Sequence, residues 1–80
     1  MRKSVYSQRQ KMIAAALARQ RRAKGMSQAE VAKVLGRHQP FIANIESGDR
    51  RVDLVELLAI AKIIDLDVIA LVRDLQDTPD

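Results

Sequence analysis

The uncharged polar side chains near the middle of the chain are the ones best suited to recognising another molecule. One face of a predicted helix carries only small or uncharged residues at helical spacing: Gln39, Pro40, Ala43, Asn44 and Ser47. A face that meets only water normally carries charges, and this one carries two carboxamides and no Lys or Glu. Gln and Asn can form paired hydrogen bonds with adenine in the DNA major groove, and small neighbours allow close approach. The pattern therefore predicts that Gln39 and Asn44 read bases.

A second short helix precedes this one and is expected to position it. Ser27 and Glu30 have the spacing of a capping box at the start of that helix, and Gly36 ends it. A corner of three residues, Gly36 to His38, then leads into the next helix. Two short helices at this separation are typical of a helix-turn-helix, whose second helix enters the major groove. An ordinary helical hairpin is the alternative that the spacing leaves open.

Polar and basic side chains flank the two helices and are suited to DNA phosphates. Gln28 lies at the start of the first of them, where backbone N–H groups and the helix dipole favour an anion. Ser47, Arg50 and Arg51 lie at or after the end of the second, and we predict that they contact the sugar–phosphate backbone. Arg37, in the corner, can reach a base or a phosphate. Plain solvent exposure is the alternative for each.

Two ionisable residues occupy stripes that are otherwise apolar. Arg21 shares a stripe with Ile13 and Leu17, and Glu46 lies one turn beyond Ile42. A buried charge is tolerated only with a partner, so we predict an ion pair between Arg21 and Glu46 that fixes the angle of the second helix. The alternative is that both side chains extend to solvent.

Capping signals divide the chain into five predicted helices and give no strand pattern. The predicted starts are Ser7, Ser27, His38 or Gln39, Asp53 and Asp67, and the glycines that end helices are Gly25, Gly36 and Gly48. We therefore expect one all-α domain over residues 1–80, a five-helix DNA-binding fold that contains the helix-turn-helix. Residues 1–6 and 76–80 are expected to be loosely ordered tails.

The charge of the chain is strongly asymmetric. Residues 1–52 carry twelve Lys and Arg against three acids, a net of +9, and residues 53–80 carry two against seven, a net of −5. A basic surplus confined to one part favours a polyanionic partner, although a solvated basic surface is the alternative. The chain has no cysteine and one histidine, His38, so we expect no metal, no cofactor and no enzymatic activity. Without a signal peptide or a long apolar run, we expect a cytoplasmic protein that does not enter a membrane.

The fifth predicted helix has more apolar residues than one inward stripe requires. They are Val68, Ile69, Leu71, Val72 and Leu75. We expect Leu71, Val72 and Leu75, together with the corner between the third and fourth helices, to form a contact between two copies of the chain. The recognition helices of such a dimer would lie about 34 Å apart, one turn of DNA.

In these residues and their spacing the sequence resembles the Xre/Cro-type helix-turn-helix family, the DNA-binding fold of phage repressors. The resemblance covers about residues 13–75 and is carried by Arg21, Lys24-Gly25-Met26-Ser27-Gln28, Glu30, Gly36, Gln39, Ile42, Ile45-Glu46, Gly48 and Ile60-Ala61. It implies a phage-repressor-like fold and homodimeric binding to a palindromic operator. By resemblance, Gln28, Gln39 and Asn44 match DNA-contacting positions, and Arg21 with Glu46 matches the structural ion pair.

The chain departs from the family pattern at three places. Pro40 and Phe41 replace small polar residues, Arg37 replaces an apolar one, and Asp65 stands where Gly is common. For Phe41, packing toward the fourth helix is favoured over contact with a thymine methyl group.

The expected function is a transcriptional regulator that binds duplex DNA as a homodimer. No effector segment is evident after the DNA-binding unit, so we expect any signal to arrive through a partner, DNA competition or proteolysis. The alternative is therefore an antitoxin-like or adaptor protein whose main role is to bind a toxin or another protein.

Overall fold

The computed structural model describes residues 7–79, and in this part of the chain five α-helices and no strand are present. The helices are α1 (Gln8–Ala23), α2 (Gln28–Leu35), α3 (Gln39–Ser47), α4 (Leu54–Ile64) and α5 (Val68–Gln76). The predicted all-α architecture is therefore confirmed. The predicted tail at residues 1–6 lies outside the described residues, as does Asp80. Among the described helices, none combines the length and apolar character needed to span a bilayer.

The helices begin at the polar residues that the sequence predicts. Ser27 and Asp53 each begin a capping box: the side chain accepts a hydrogen bond from the backbone N–H three residues on, and the glutamate side chain there accepts one from the backbone N–H of the cap. Ser7 and Asp67 cap α1 and α5 with a single side-chain bond each. His38 occupies the cap position of α3, but its side chain makes no capping hydrogen bond.

Residues in the left-handed backbone conformation end α2, α3 and α4. Gly36 ends α2 with φ of 78° and Gly48 ends α3 with φ of 86°, a conformation that favours glycine. Asp65 ends α4 with φ of 59° and is the one non-glycine residue with positive φ in the described part of the chain. Its carboxylate accepts a bond of 2.9 Å from Lys24 Nζ, and Gln20 Nε2 donates to its carbonyl oxygen at 3.2 Å. These contacts from α1 support a backbone conformation that is unusual for an aspartate.

One apolar core connects all five helices. Its buried members are Ala16, Leu17, Val31, Ala32, Ile42, Ile45, Leu57, Ile60, Ile64 and Leu71. The inward stripe of α5 is Val68, Leu71 and Leu75, which recur at helical spacing and pack in or against this core. Leu71 is only 6% exposed, so its side chain has little surface left for the subunit contact that the sequence predicts. Val72 is 40% exposed and Leu75 is half-buried.

The described residues after α5 make hydrogen bonds to α5 and to α1. α5 continues through Gln76, and the backbone N–H of Thr78 donates to the carbonyl oxygen of Leu75 at 3.2 Å. The hydroxyl of Thr78 donates to the carbonyl oxygen of Asp74 at 2.8 Å. Arg9 Nε of α1 donates to the carbonyl oxygen of Thr78 at 2.9 Å. These bonds connect Thr78 to the last turn of α5 and to α1, and the loose tail over residues 76–80 stays a prediction.

The core position of Leu71 gives a stability prediction. Leu71→Ala removes buried methyl groups and leaves a cavity, so we expect it to lower the free energy of unfolding by about 2–5 kcal/mol. The neighbouring Val72→Ala is the matched control and should cost less than about 1 kcal/mol, because its side chain is partly exposed. Urea titrations followed by circular dichroism measure both. Equal losses for the two variants would contradict the assignment of Leu71 to the core.

Candidate nucleic-acid interface

The two helices of the predicted helix-turn-helix pack directly on one another. Gly36 turns the chain after α2, and the backbone N–H of Arg37 donates to the carbonyl oxygen of Ala32 at 2.8 Å. The inner side of α3 is apolar and buried: Ile42 and Ile45 are each 3% exposed and belong to the same core cluster as Val31 of α2. The burial of these residues decides which side of α3 faces outward.

The outward side of α3 is the polar face that the sequence predicts. Among its members Ala43 is half-buried, and the exposed ones are Gln39, Pro40, Asn44 and Ser47. The hydroxyl of Ser47 donates to the carbonyl oxygen of Asn44 at 3.1 Å, so it is bonded within its own helix turn. Gln39 and Asn44 therefore both lie on the solvent-facing side of a helix whose other side is fixed in the core.

A buried ion pair joins α1 to α3. Arg21 Nε lies 2.7 Å from Glu46 Oε2, and Arg21 Nη2 lies 2.9 Å from Glu46 Oε1, so the guanidinium and the carboxylate meet in a paired geometry. The side chains of Arg21 and Glu46 are 10% and 7% exposed. Arg21 Nη1 also donates to the carbonyl oxygen of Met26 at 2.7 Å, just before the cap of α2. One guanidinium thus connects α1, the start of α2 and the last turn of α3.

Gln28 extends this ion pair to the surface. Its Nε2 donates to Glu46 Oε1 at 2.9 Å, and its Oε1 accepts a long bond of 3.4 Å from Nε2 of Gln39. The amide that the sequence assigns to a phosphate therefore points toward Glu46 and Gln39. The position of Gln28 in the first turn of α2 still offers backbone N–H groups that no intrahelical carbonyl satisfies, and such groups bind anions.

The environment of Glu46 sets its protonation. Burial raises the pKa of Glu46, but hydrogen bonds from Arg21 and Gln28 and the positive charges of Arg21 and Arg22 lower it by more. The pKa of Glu46 consequently lies below its ordinary value. The carboxylate therefore stays charged at neutral pH, as the pair with Arg21 requires.

Phe41 lies at the edge of the core and contacts two arginines. The ring is half-buried and packs against the core cluster, which is the packing alternative that the sequence favours. Cζ of Arg37 lies 4.0 Å from the ring centroid and Cζ of Arg50 lies 4.6 Å from it. These distances are those of cation–π contacts.

Arg50 is held by further bonds within the protein. Its Nη1 and Nη2 donate to the two carboxylate oxygens of Glu56 at 3.2 and 3.1 Å, and Nη1 donates to the carbonyl oxygen of Arg51 at 2.7 Å. The backbone bond from Asp53 and the side-chain bond from Arg50 lower the pKa of Glu56. Arg50, which the sequence assigns to a phosphate, is thus occupied in tying the loop after α3 to α4. The spacing does not reveal this pair because its members lie in different elements.

Two more arginines, Arg51 and Arg22, add positive charge to the exposed surface. Arg51 is exposed and lines a shallow groove with Val52, Asp53 and Glu56. Arg22 is exposed near the end of α1, and its positive charge helps to lower the pKa of Glu46. Its position next to Arg21 is the one signal in the sequence that indicates this contribution.

These features together define a helix-turn-helix with an exposed polar recognition helix, which is a DNA-binding class of protein. Residues 17–71 match the family model described as Helix-turn-helix (HTH_3), which comprises Xre/Cro-type domains. The chain belongs to this family and is a DNA-binding regulator. The expected phage-repressor-like fold is confirmed. No curated protein matches the chain.

The buried ion pair gives a prediction about stability. Glu46→Ala leaves the guanidinium of Arg21 buried without its carboxylate, so we expect the free energy of unfolding to fall by about 3–5 kcal/mol. Thermal and urea unfolding at neutral pH measure the loss, and an unchanged unfolding temperature would contradict it. Glu30→Ala is the matched control, because this exposed carboxylate accepts a capping bond from the backbone N–H of Ser27, and it should lower the unfolding temperature much less than Glu46→Ala does.

The pH dependence of Glu46 follows from the direction of its pKa shift. A carboxylate with a lowered pKa stabilises the folded protein above its ordinary pKa, and this contribution is lost as the pH falls through the folded-state value. We therefore expect the stability difference between the natural chain and Glu46→Ala to shrink below about pH 4.5, the ordinary value for glutamate. A difference that stays constant down to pH 2 would show that the pair does not act through the charge of Glu46.

Proposed function

We propose that the protein is a sequence-specific transcriptional regulator that binds an inverted-repeat DNA site as a homodimer, with α3 in the major groove. The observation that carries this proposal is the exposure of Gln39 and Asn44 on a helix whose opposite side is buried. A rigid, neutral, amide-bearing face can form paired hydrogen bonds with base edges. Gln39 and Asn44 are the base-reading residues of this proposal, and Arg37 lies at the same end of α3.

Phosphate contacts are proposed on both sides of α3. The first-turn N–H groups of α2 beside Gln28 form one anion-binding point. Ser47 and Arg51, at the other end of α3, form the second, and the basic charge of residues 1–52 adds long-range attraction. Arg50 can contact a phosphate only if it leaves Glu56 or shares its guanidinium, so its role in DNA binding is secondary in this proposal.

The homodimer is proposed to form through exposed apolar side chains. On α4, Leu54 is 64% exposed, Val55 is 76% exposed and Leu58 is 50% exposed. They lie at spacings of one, three and four residues, so they share one face of α4. This face follows directly after the loop that leaves α3. Of the three predicted α5 residues, Val72 retains the largest exposed fraction and is included in the proposed contact.

A protein-binding role is the second candidate, and the same exposed side chains favour it. An antitoxin-like or adaptor protein would use an apolar surface for a partner of different sequence. The two functions differ in their DNA binding, because an adaptor is expected to bind duplexes weakly and without sequence preference.

Selection from random duplexes, followed by competition binding, tests the regulatory function. We expect enrichment of an inverted repeat and binding whose logarithm falls with the logarithm of salt by about 0.9 for each phosphate neutralised. Gln39→Ala and Asn44→Ala should shift the preferred base at individual positions, each costing about 1–3 kcal/mol on the selected site. Arg51→Ala is the matched comparison and should weaken all duplexes alike.

The outcome that contradicts this assignment is equal loss on the selected and the random duplexes for Gln39→Ala and Asn44→Ala. Failure to enrich any repeat would instead favour the adaptor role.

Sedimentation tests the proposed dimer surface. Val55→Asp places a charge in an exposed apolar face, so we expect it to shift the protein from dimer to monomer and to weaken binding to the inverted repeat. Ala15→Asp, at an exposed position of α1, is the matched control and should leave the dimer intact. A natural chain that is monomeric at high micromolar concentration, with and without DNA, would contradict the dimer.

A further inference from the structure

The two arginines that share the ring of Phe41 use their N–H groups differently. Arg50 donates to both carboxylate oxygens of Glu56 and to a backbone carbonyl. Arg37 donates no side-chain hydrogen bond to any residue in the part of the chain that the structure describes, and it is exposed. The ring is therefore the one contact that holds the Arg37 guanidinium in the described protein. A guanidinium held by its face keeps its in-plane N–H donors available for an acceptor.

The neighbouring carboxylate does not take these donors from Arg37. Arg37 and Arg50 contact the same ring, and Arg50 is bonded to Glu56, so Arg37 lies near this carboxylate and its charge helps to lower the pKa of Glu56. Both oxygens of Glu56 nevertheless accept from Arg50, and Glu56 also accepts from the backbone N–H of Asp53 at 3.0 Å. Arg50 thus neutralises the acid that would otherwise attract Arg37 away from the ring.

Arg37 is also placed at the end of α3 that carries Gln39. Arg37 precedes His38, the cap residue of α3, and Gln39 is the first residue of that helix. Phe41 lies two residues beyond Gln39 and one turn beyond Arg37, and Cζ of Arg37 lies 4.0 Å from the centroid of its ring. Arg37 and Gln39 therefore belong to the same end of α3, where one ligand can reach both.

We propose that Phe41 is a positioning residue for DNA binding: its ring holds the guanidinium of Arg37 at the corner, so that Arg37 donates to a DNA acceptor beside the bases that Gln39 reads. The proposal rests on the proposed function for the identity of the ligand. The acceptor is an anionic phosphate oxygen or the paired acceptors of a guanine, both of which suit a planar guanidinium. Arg37 makes the contact, and Phe41 acts through Arg37.

A double-mutant cycle on the selected duplex tests this coupling. Phe41→Leu keeps an apolar side chain and removes the ring face, so we expect it to weaken binding about threefold to tenfold in the natural chain. In the Arg37→Ala background the same change should alter affinity by less than about twofold, because the group that the ring holds is already absent. Phe41→Tyr retains the ring face and should bind as the natural chain does.

An Arg50→Ala background is the matched control for the other guanidinium. There Phe41→Leu should keep most of its effect, because Arg37 is still present. Equal losses from Phe41→Leu with and without Arg37 would overturn the proposal, and so would full affinity of Phe41→Leu in the natural chain. Unfolding curves for every variant fix a temperature at which all are folded, so that a loss of packing at Phe41 is not read as a loss of binding.

The dependence on salt identifies the acceptor. If Arg37 contacts a phosphate, Arg37→Ala should reduce the salt slope by about one and weaken all duplexes. If it contacts a guanine, the change should relax the preference at one base position and leave the slope nearly unaltered. A natural chain that binds every duplex alike contradicts the base-reading function, but the cycle remains measurable on any duplex and still decides whether Phe41 acts through Arg37.

Discussion

The buried pair of Arg21 and Glu46 is the interaction on which the orientation of the recognition helix depends. α3 has nine residues, too few to be a stable helix by itself, so its position must come from tertiary contacts. Its apolar side supplies two buried isoleucines, which hold it against the core and decide which side faces outward. The paired bonds from Arg21 add direction, because a planar guanidinium donates to both oxygens of a carboxylate in few geometries. The third bond, to the carbonyl oxygen of Met26, relates α3 to the start of α2.

A buried ion pair is a weak source of net stability, since desolvation of two charges offsets much of their attraction. In this chain the ion pair contributes mainly by positioning side chains, and the bonds of Gln28 show how. Its amide bonds to Glu46 on one side and to Gln39 on the other, so the order imposed on the carboxylate extends to a side chain on the solvent-facing surface. The ordering of Gln39 before any ligand arrives lowers the entropy that binding must remove. A chain of hydrogen bonds thus connects the buried carboxylate of Glu46 to the exposed amide of Gln39.

The sequence predicts the local features of the fold well, because caps and helix periodicity depend on residues a few positions apart. The boxes headed by Ser27 and Asp53, and the five helices, are found where the pattern indicates. The sequence predicts the ion pair of Arg21 with Glu46, although the two residues lie far apart along the chain, because each of them interrupts an apolar stripe. The surplus of apolar residues on α5 does not show which of them face inward, so the sequence does not distinguish the buried Leu71 from the exposed Val72. The bonds of Arg50 to Glu56 are not predicted, since neither partner looks out of place in its own element. The bond of Gln28 to Glu46 is not predicted either, because a polar residue at the start of a helix gives no sign of a partner on another helix.

The distribution of charge around α3 separates attraction from discrimination. Charged side chains bind phosphate whatever the sequence, so a recognition face rich in arginine or lysine would strengthen non-specific binding as much as specific binding. In this chain the face with Gln39 and Asn44 is neutral, and cations stand at its margins. Arg50 and Arg21 are each tied to a glutamate, which limits their reach toward DNA. Arg37 is bound to no carboxylate among the described residues, and the ring of Phe41 takes the place of one. An aromatic partner restrains a cation without neutralising it, so a guanidinium at the corner can be both ordered and charged when DNA arrives.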